Sequence, residues 1–367
     1  MRLAKIGIWA AVVVIVGAVM IGLHQRNTPA GTTGKPVVKI GLVFPLTGLY
    51  REPDELRKAM AYMLDKYQDG PLEYILIAED SVGQATKGIS ATKKLIHLDR
   101  VHVILSANSG VAKVISPLAT QSNILHVAIA LDANLEGNPT SFTAWTTAEK
   151  KARKYVDYLK KKGVKDTAAF VSVTANSEEL YRVFKPMAEA AGIRVTKYGF
   201  MPGVRDFRID LMKIKNKKHD LVTFLVWPPE ADIVMRQYKE VGVGIPVSGM
   251  EVFSIANQKE LFEGETYVDG CLPESDVLER IRDQVKAAGT YGFAVGYDLL
   301  DMLNRICVDF YERNKRIPSG TELADALVKM GSHDGVAGRV EIGKDRRIQS
   351  DACLLKIVDG RPVAIGE

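Results

Sequence analysis

The 367-residue chain has only three cysteines, at positions 271, 307 and 353. That is too few, and too widely spaced, for a disulfide framework or a zinc site; an odd count leaves buried thiols or one isolated pair. Its six histidines (24, 97, 102, 126, 219 and 333) include no pair three or four residues apart, so no helical metal pair is present. His97 and His102 flank a strand start and read as surface or edge residues. There is no G-x-S-x-G elbow, no P-loop, no G-x-G-x-x-G after a strand and no H-E-x-x-H. The nearest approach to an enzyme site is a possible carboxylate pair of Asp132 and Glu251, which lacks any nucleophile or metal cluster. The sequence therefore implies no enzyme activity, cofactor or metal. A formal net charge of +5 over this length is also too weak to argue for nucleic acid.

What is present begins with the leader. Arg2 and Lys5 precede an uncharged run of 18 residues, Ile6 to Leu23, followed by a polar stretch, HQRNTPAGTTGK. A basic start, apolar middle and polar end form the layout of an export signal. The run is longer than usual for a cleaved signal and just long enough for a spanning helix of roughly 17–25 residues. It reads as a signal peptide, with a candidate cleavage site after Ala30, or as a retained N-terminal membrane anchor. A buried core helix is the plain alternative, disfavoured by the flanking charges and linker. No cysteine follows the run, which excludes a lipoprotein anchor. Residues 1–35 hold Arg2, Lys5, Arg26 and Lys35 and no acid, which leaves +1 of the formal +5 for the body. No second run of this length occurs, so the body is expected beyond the membrane, periplasmic or extracytoplasmic.

With 47% hydrophobic residues, that body can bury real cores. From Val37 onward, short β-branched runs alternate with helical periodicity. Strands are expected at 37–44, 73–78, 102–106 and 125–130, with helices at 54–68, 84–98 and 110–121 between them. The theme repeats with strands at 167–173, 193–200, 220–227 and 245–249 and helices at 147–162, 178–191, 206–216 and 230–241. Two such βαβ runs predict an α/β fold of two doubly wound parallel-sheet lobes. The helices at 276–287, 292–313 and 320–329 and the strand-like 338–342 and 352–358 have no complete sheet of their own. They must complete the two lobes, so the hinge is crossed more than once. The expected division is 37–146 plus 273–338 for the first lobe and 147–272 plus 339–367 for the second. The basic clusters Lys160–Lys162 and Lys215–His219 end helices, where cations favour the dipole and solvent. Cys307 lies in an apolar helical pattern and reads as core.

Particular segments then resemble a known family. VKIGLVFPLTG, LIHLDRV (95–101), ILSANSGVAKVISPLA, the stretch 206–243, IPVSGMEVF and GSHDGVAGRVEIGKDRR (331–347) are similar, in order, to the branched-chain amino-acid (Leu/Ile/Val)-type periplasmic binding proteins. These are type I solute-binding proteins of ABC transporters. The resemblance covers nearly all of 37–360. It implies capture of a small ligand, an amino acid or related amide or organic acid, between two closing lobes and delivery to ABC permease subunits in the membrane. A membrane-tethered ligand sensor of the same fold is the alternative.

The resemblance also nominates ligand-binding residues. Ser109 matches a serine that grips the ligand carboxylate, or caps the helix it begins. Ala130 matches a main-chain contact. Asp132 stands where the family often has threonine, and would repel a ligand carboxylate unless it caps a turn or faces away. Trp227 matches the second-lobe aromatic, before Pro228-Pro229, or packs an interface. Glu251 matches the acid that pairs with the ligand ammonium, or is a solvated loop carboxylate. Ser177 stands at a position where the family often has tyrosine, with Tyr181 one turn on. Tyr50 and Arg51 occupy the loop after Gly48, and an arginine there could hold a carboxylate with two parallel hydrogen bonds.

Overall fold

The computed structural model describes residues 34–48, 54–131, 135, 137–273, 275–286 and 290–366. The leader, Tyr50, Arg51 and Asp132 lie outside the described residues, and with them the choice between signal and anchor. Among the described residues no helix is long and apolar enough to cross a membrane.

The first run builds β1 (Val37–Phe44), α1 (Asp54–Lys66), β2 (Glu73–Asp80), α2 (Ala85–Lys94), β3 (Val103–Ala107), α3 (Ser109–Gln121), β4 (Leu125–Ile129) and β5 (Ser141–Ala144). The second builds α4 (Ala148–Lys161), β6 (Asp166–Ser172), α5 (Ala175–Ala190), β7 (Arg194–Phe200), α6 (Arg208–Lys217), β8 (Leu221–Leu225), α7 (Glu230–Val241), β9 (Val247–Met250) and β10 (Thr266–Gly270). Then follow α8 (Asp276–Val285), α9 (Tyr291–Asn314), α10 (Gly320–Met330), β11 (Ser332–Gly335), β12 (Gly338–Ile342), β13 (Arg347–Gln349), β14 (Ala352–Val358) and β15 (Arg361–Ala364).

The strands form two sheets, ordered β11-β12-β13-β5-β4-β3-β1-β2 and β15-β14-β10-β9-β8-β6-β7. The first five strands of each run pair in parallel in the same order, 2-1-3-4-5. Strands from the tail extend each sheet at its far side: β13 joins β5 in parallel and carries β12 and β11 antiparallel, and β14 joins β10 antiparallel and carries β15. Strands buried on both faces need near-continuous apolar runs, and β3, β4 and β8 are buried at every position. In a sheet of this order the chain turns outward on both sides of its first strand. The crevice beyond the strands' C-terminal ends is where ligands bind.

The chain passes between the sheets after β5, after β10 and between β13 and β14. The division expected at residue 339 is corrected: β12 and β13 hydrogen-bond within the first sheet, so the final return falls at Ser350 and Asp351. The three passages are tied together. Thr146 Oγ1, Tyr291 OH and Ser350 Oγ lie 2.9 Å from one another, all buried. Cys271 N–H donates to Asp351 O at 2.9 Å. Cys271 and Cys353 form a disulfide across β10 and β14, closing a separation of 82 residues. Cys307 is the buried free thiol, its pKa pushed up to about 12 by burial. The cysteines are thus one isolated pair and one core residue.

Candidate functional site

A cavity enclosing about 1020 Å³, part of it open to solvent, lies between the sheets. It is built from strand ends. Pro45 follows β1, Asn108 follows β3, Ala130 and Leu131 follow β4, and Trp145 follows β5. From the second sheet, Thr174 comes after β6, Trp227 after β8, Glu251 after β9, and Asp269 near the end of β10. The helix starts at Ala175 and Tyr291 complete the wall. The same loops recur in both lobes because both sheets share one winding order.

The centre of the second-lobe face is a buried ion cluster. Lys151 Nζ lies 2.5 Å from Glu251 Oε1 and 2.8 Å from Asp269 Oδ1, with side chains 0%, 2% and 5% exposed. Burial opposes the Lys151 ammonium, but attraction to Asp269 and Glu251 outweighs it and raises its pKa. Burial pushes the Asp269 carboxyl up to about 6, against the pull of Lys151. Trp145 Nε1 donates to the same Glu251 Oε1 at 2.9 Å. Trp145 and Tyr291 pack edge to face with centroids 4.8 Å apart, and Lys151 Nζ sits 5.1 and 5.8 Å from the two rings. Gly270 makes room for that ring, since a Cβ there would come within 2.2 Å of Tyr291. The other oxygen, Glu251 Oε2, is buried and accepts no hydrogen bond among the described residues. A buried carboxylate oxygen without a donor is costly. Glu251 also holds φ 74° and ψ −67°, the dihedral pair of a strained γ-turn. Strain of this kind persists where the surroundings impose it and gathers at ligand sites.

The first-lobe face carries one acid, Glu55 at the start of α1, among otherwise uncharged lining residues. Asn108, itself at φ 81°, is the N-cap of α3: its Oδ1 accepts from Gly110 N–H at 2.9 Å and Val111 N–H at 3.3 Å. Ser109 is therefore the first helical residue and not the cap. Its hydroxyl reaches across the cleft to Asn176 Oδ1, 3.1 Å away.

Of the residues nominated by sequence, Ala130, Trp227 and Glu251 line the cavity together, and Ser109 stands at its edge. Ser177 is turned into the second lobe: it is fully buried, hydrogen-bonded to Ser172 and Thr174, and takes no part in the cavity wall. Its neighbours Ala175 and Asn176 take that place. Tyr50 and Asp132 lie outside the described residues. Sequence reasoning missed Lys151, Asp269, Trp145, Tyr291 and Asn108. Lys151 carried a signal: it falls on the apolar stripe of α4 with Tyr155 and Leu159, at i, i+4 and i+8. Asp269 likewise places a charge directly after Tyr267 and Val268 in β10.

Comparison with known proteins agrees with this architecture. The pattern of the family described as periplasmic binding protein matches residues 37–361. The Leu/Ile/Val-binding protein BraC3 of Rhizobium johnstonii is 26% identical over 222 residues, 58% of this chain. The match spans about 60% of that relative's length. The branched-chain amino acid transporter substrate-binding protein LivJ of Streptococcus pneumoniae, solved with isoleucine, superposes with TM-score 0.78 at 18% identity, covering 89% of this chain and 98% of its own. A solute-binding protein of an ABC transporter from Rhodopseudomonas palustris, solved with 3,4-dihydroxybenzoic acid, gives TM-score 0.78 at 20% identity, covering 90% and 96%. The two structures carry the fold alone. The relatives are binding proteins and not enzymes, in keeping with a sequence that lacks catalytic motifs. On the match over 37–361 and the shared two-lobed architecture, the chain belongs to the periplasmic binding protein family.

Proposed function

We propose that this protein is an extracytoplasmic solute-binding protein that captures an amino acid or related small polar metabolite in the interlobe cleft and delivers it to an ABC importer. The observation that carries the reading is Glu251 Oε2, buried in the cavity wall with no donor among the described residues. A ligand N–H or ammonium supplies that donor, and the aromatic walls of Trp145, Trp227 and Tyr291 cover an apolar body. Ala130, Ser109 and, from the segments outside the described residues, Tyr50 and Asp132 contribute the remaining contacts. Hinge closure about the three passages buries the ligand and presents both lobes to permease subunits.

Titration calorimetry of the full chain in mild detergent against amino acids, amides and small organic acids tests the reading. Micromolar binding of at least one is expected, weakened at least tenfold in Trp227→Ala. No binding by any small polar metabolite overturns it. The length of the 6–23 run favours a second reading, a tethered sensor signalling to a partner membrane protein. Sequencing the mature N-terminus decides: a start near Gly31 rejects the tether, and an intact Met1 supports it.

A further inference from the structure

The proposed solute-binding role leaves the class of ligand open, and the charges of the cleft narrow it. The cavity wall contains three acids, Glu55, Glu251 and Asp269, and no lysine, arginine or histidine among the described residues. Behind it, Lys151 offsets one of the two buried charges of Glu251 and Asp269, which leaves that cluster with one uncompensated negative charge. In a closed, water-poor cleft that charge attracts a cation strongly and repels an anion.

A carboxylate would need donors, and side-chain caps already take one or two N–H groups at each of three helix starts facing the cleft. Asn108 Oδ1 already occupies Gly110 and Val111 N–H. Thr174 Oγ1 takes the N–H of Ser177 at 3.4 Å, and Thr290 Oγ1 that of Phe293 at 3.3 Å. The Ser109 hydroxyl is spent on Asn176. So part of the donors that could hold an anion is taken from within and no cationic side chain of the described wall stands beside the rest, while the acceptor that could hold a cation is left open. The apolar remainder includes Trp145, Trp227 and Tyr291, whose indole and phenol faces add attraction for ammonium groups.

We infer that the cleft selects an organic cation, a primary amine on an apolar body, that carries no carboxylate. This rests on the solute-binding reading and narrows it.

The test uses the full chain in mild detergent and ligands that share one skeleton. Leucine is compared with 3-methylbutylamine, 4-methylpentanoate and 3-methylbutan-1-ol; phenylalanine is compared with 2-phenylethylamine, 3-phenylpropanoate and 2-phenylethanol. In at least one set the amine should bind tenfold or more tighter than the amino acid and the alcohol, with no binding of the acid at millimolar concentration. Glu251→Gln should weaken the amine at least tenfold; should that variant misfold by circular dichroism, the amine-to-alcohol ratio on the parent protein still decides. Tighter binding of an amino acid or an acid overturns the inference, and loss of that affinity in Arg51→Ala would assign the carboxylate grip to the loop after Gly48. Binding of other solutes but neither amine overturns it while the solute-binding role stands. No binding by any solute overturns both.

Discussion

The two walls of the cleft are built by the same winding order from different chemistry. The first-lobe wall ends β3 in uncharged groups that are hydrogen-bonded: Asn108 caps its own helix, and Ser109 bonds across the cleft to Asn176. The second-lobe wall ends β9 and β10 in charge, with Glu251 and Asp269 buried beside Lys151 of α4. A shared topology therefore fixes where a site lies but not its polarity, which is set by single residues at the strand ends.

The largest effect is expected from breaking the charged wall. Lys151→Met leaves two carboxylates buried without their counter-ion, and removing one partner of a buried pair costs about 3–5 kcal/mol. Chemical denaturation of the variant should show a loss of that size. The triple change Lys151→Met with Asp269→Leu and Glu251→Gln should recover most of it, because buried ion clusters are often no more stable than apolar replacements of similar volume. If Lys151→Met costs under about 1 kcal/mol, the second wall is not held by its charge.

Next comes the staple behind that wall. Cys271→Ser with Cys353→Ser reopens a loop of 82 residues. The loss should be about 2–5 kcal/mol, near the upper end on chain-entropy grounds. Since Asp269 sits two residues from Cys271, weakened ligand binding with an intact fold would show that the disulfide positions the charged wall. An unchanged affinity would confine it to stability.

A buried acid in the first lobe sharpens the contrast. Asp298, on α9, has no lysine beside it and accepts instead from Val336 and Ala337 N–H at 2.8 and 2.9 Å. Burial pushes its carboxyl up to about 7 in spite of those two bonds. A folded-state pKa above the unfolded value means stability that is complete below about pH 4 and is lost as pH rises toward 7. Thermal unfolding should show Tm falling over that window, and Asp298→Asn should flatten the slope. A Tm that rises steadily from pH 4 to 7 with the same slope in Asp298→Asn would contradict it.

The two lobes and their sheets were legible because the alternation of apolar runs is local. β1, β12 and β14 and the helix Glu230–Val241 appear where the periodicity places them. The short strands Ser141–Ala144 and Arg347–Gln349 did not, since three or four residues carry too little pattern. Nor could alternation in β12 tell which sheet it joins; that depends on pairing with residues two hundred positions away in β5, through β13. For the site, Trp227 and Glu251 came from family likeness alone. The Lys151–Glu251 pair spans 100 residues, and nothing in either segment announces the other.

The smallest expected change in stability probes the first-lobe wall. Asn108 holds φ 81°, a region that L residues avoid and glycine enters freely. In Asn108→Gly the lost cap should cost only a few tenths of a kcal/mol, because glycine is nearly as good an N-cap and the strain is relieved. The melting temperature should therefore move little. Binding should move more, since Gly110 and Val111 N–H are uncovered beside the cleft and the positive end of α3 becomes open to an anion. Calorimetry should then show leucine or 4-methylpentanoate gaining affinity relative to 3-methylbutylamine. If the preference stays as in the parent while stability is unchanged, the cap is not what closes the first wall to carboxylates, and the acids Glu55, Glu251 and Asp269 alone set the polarity of the cleft.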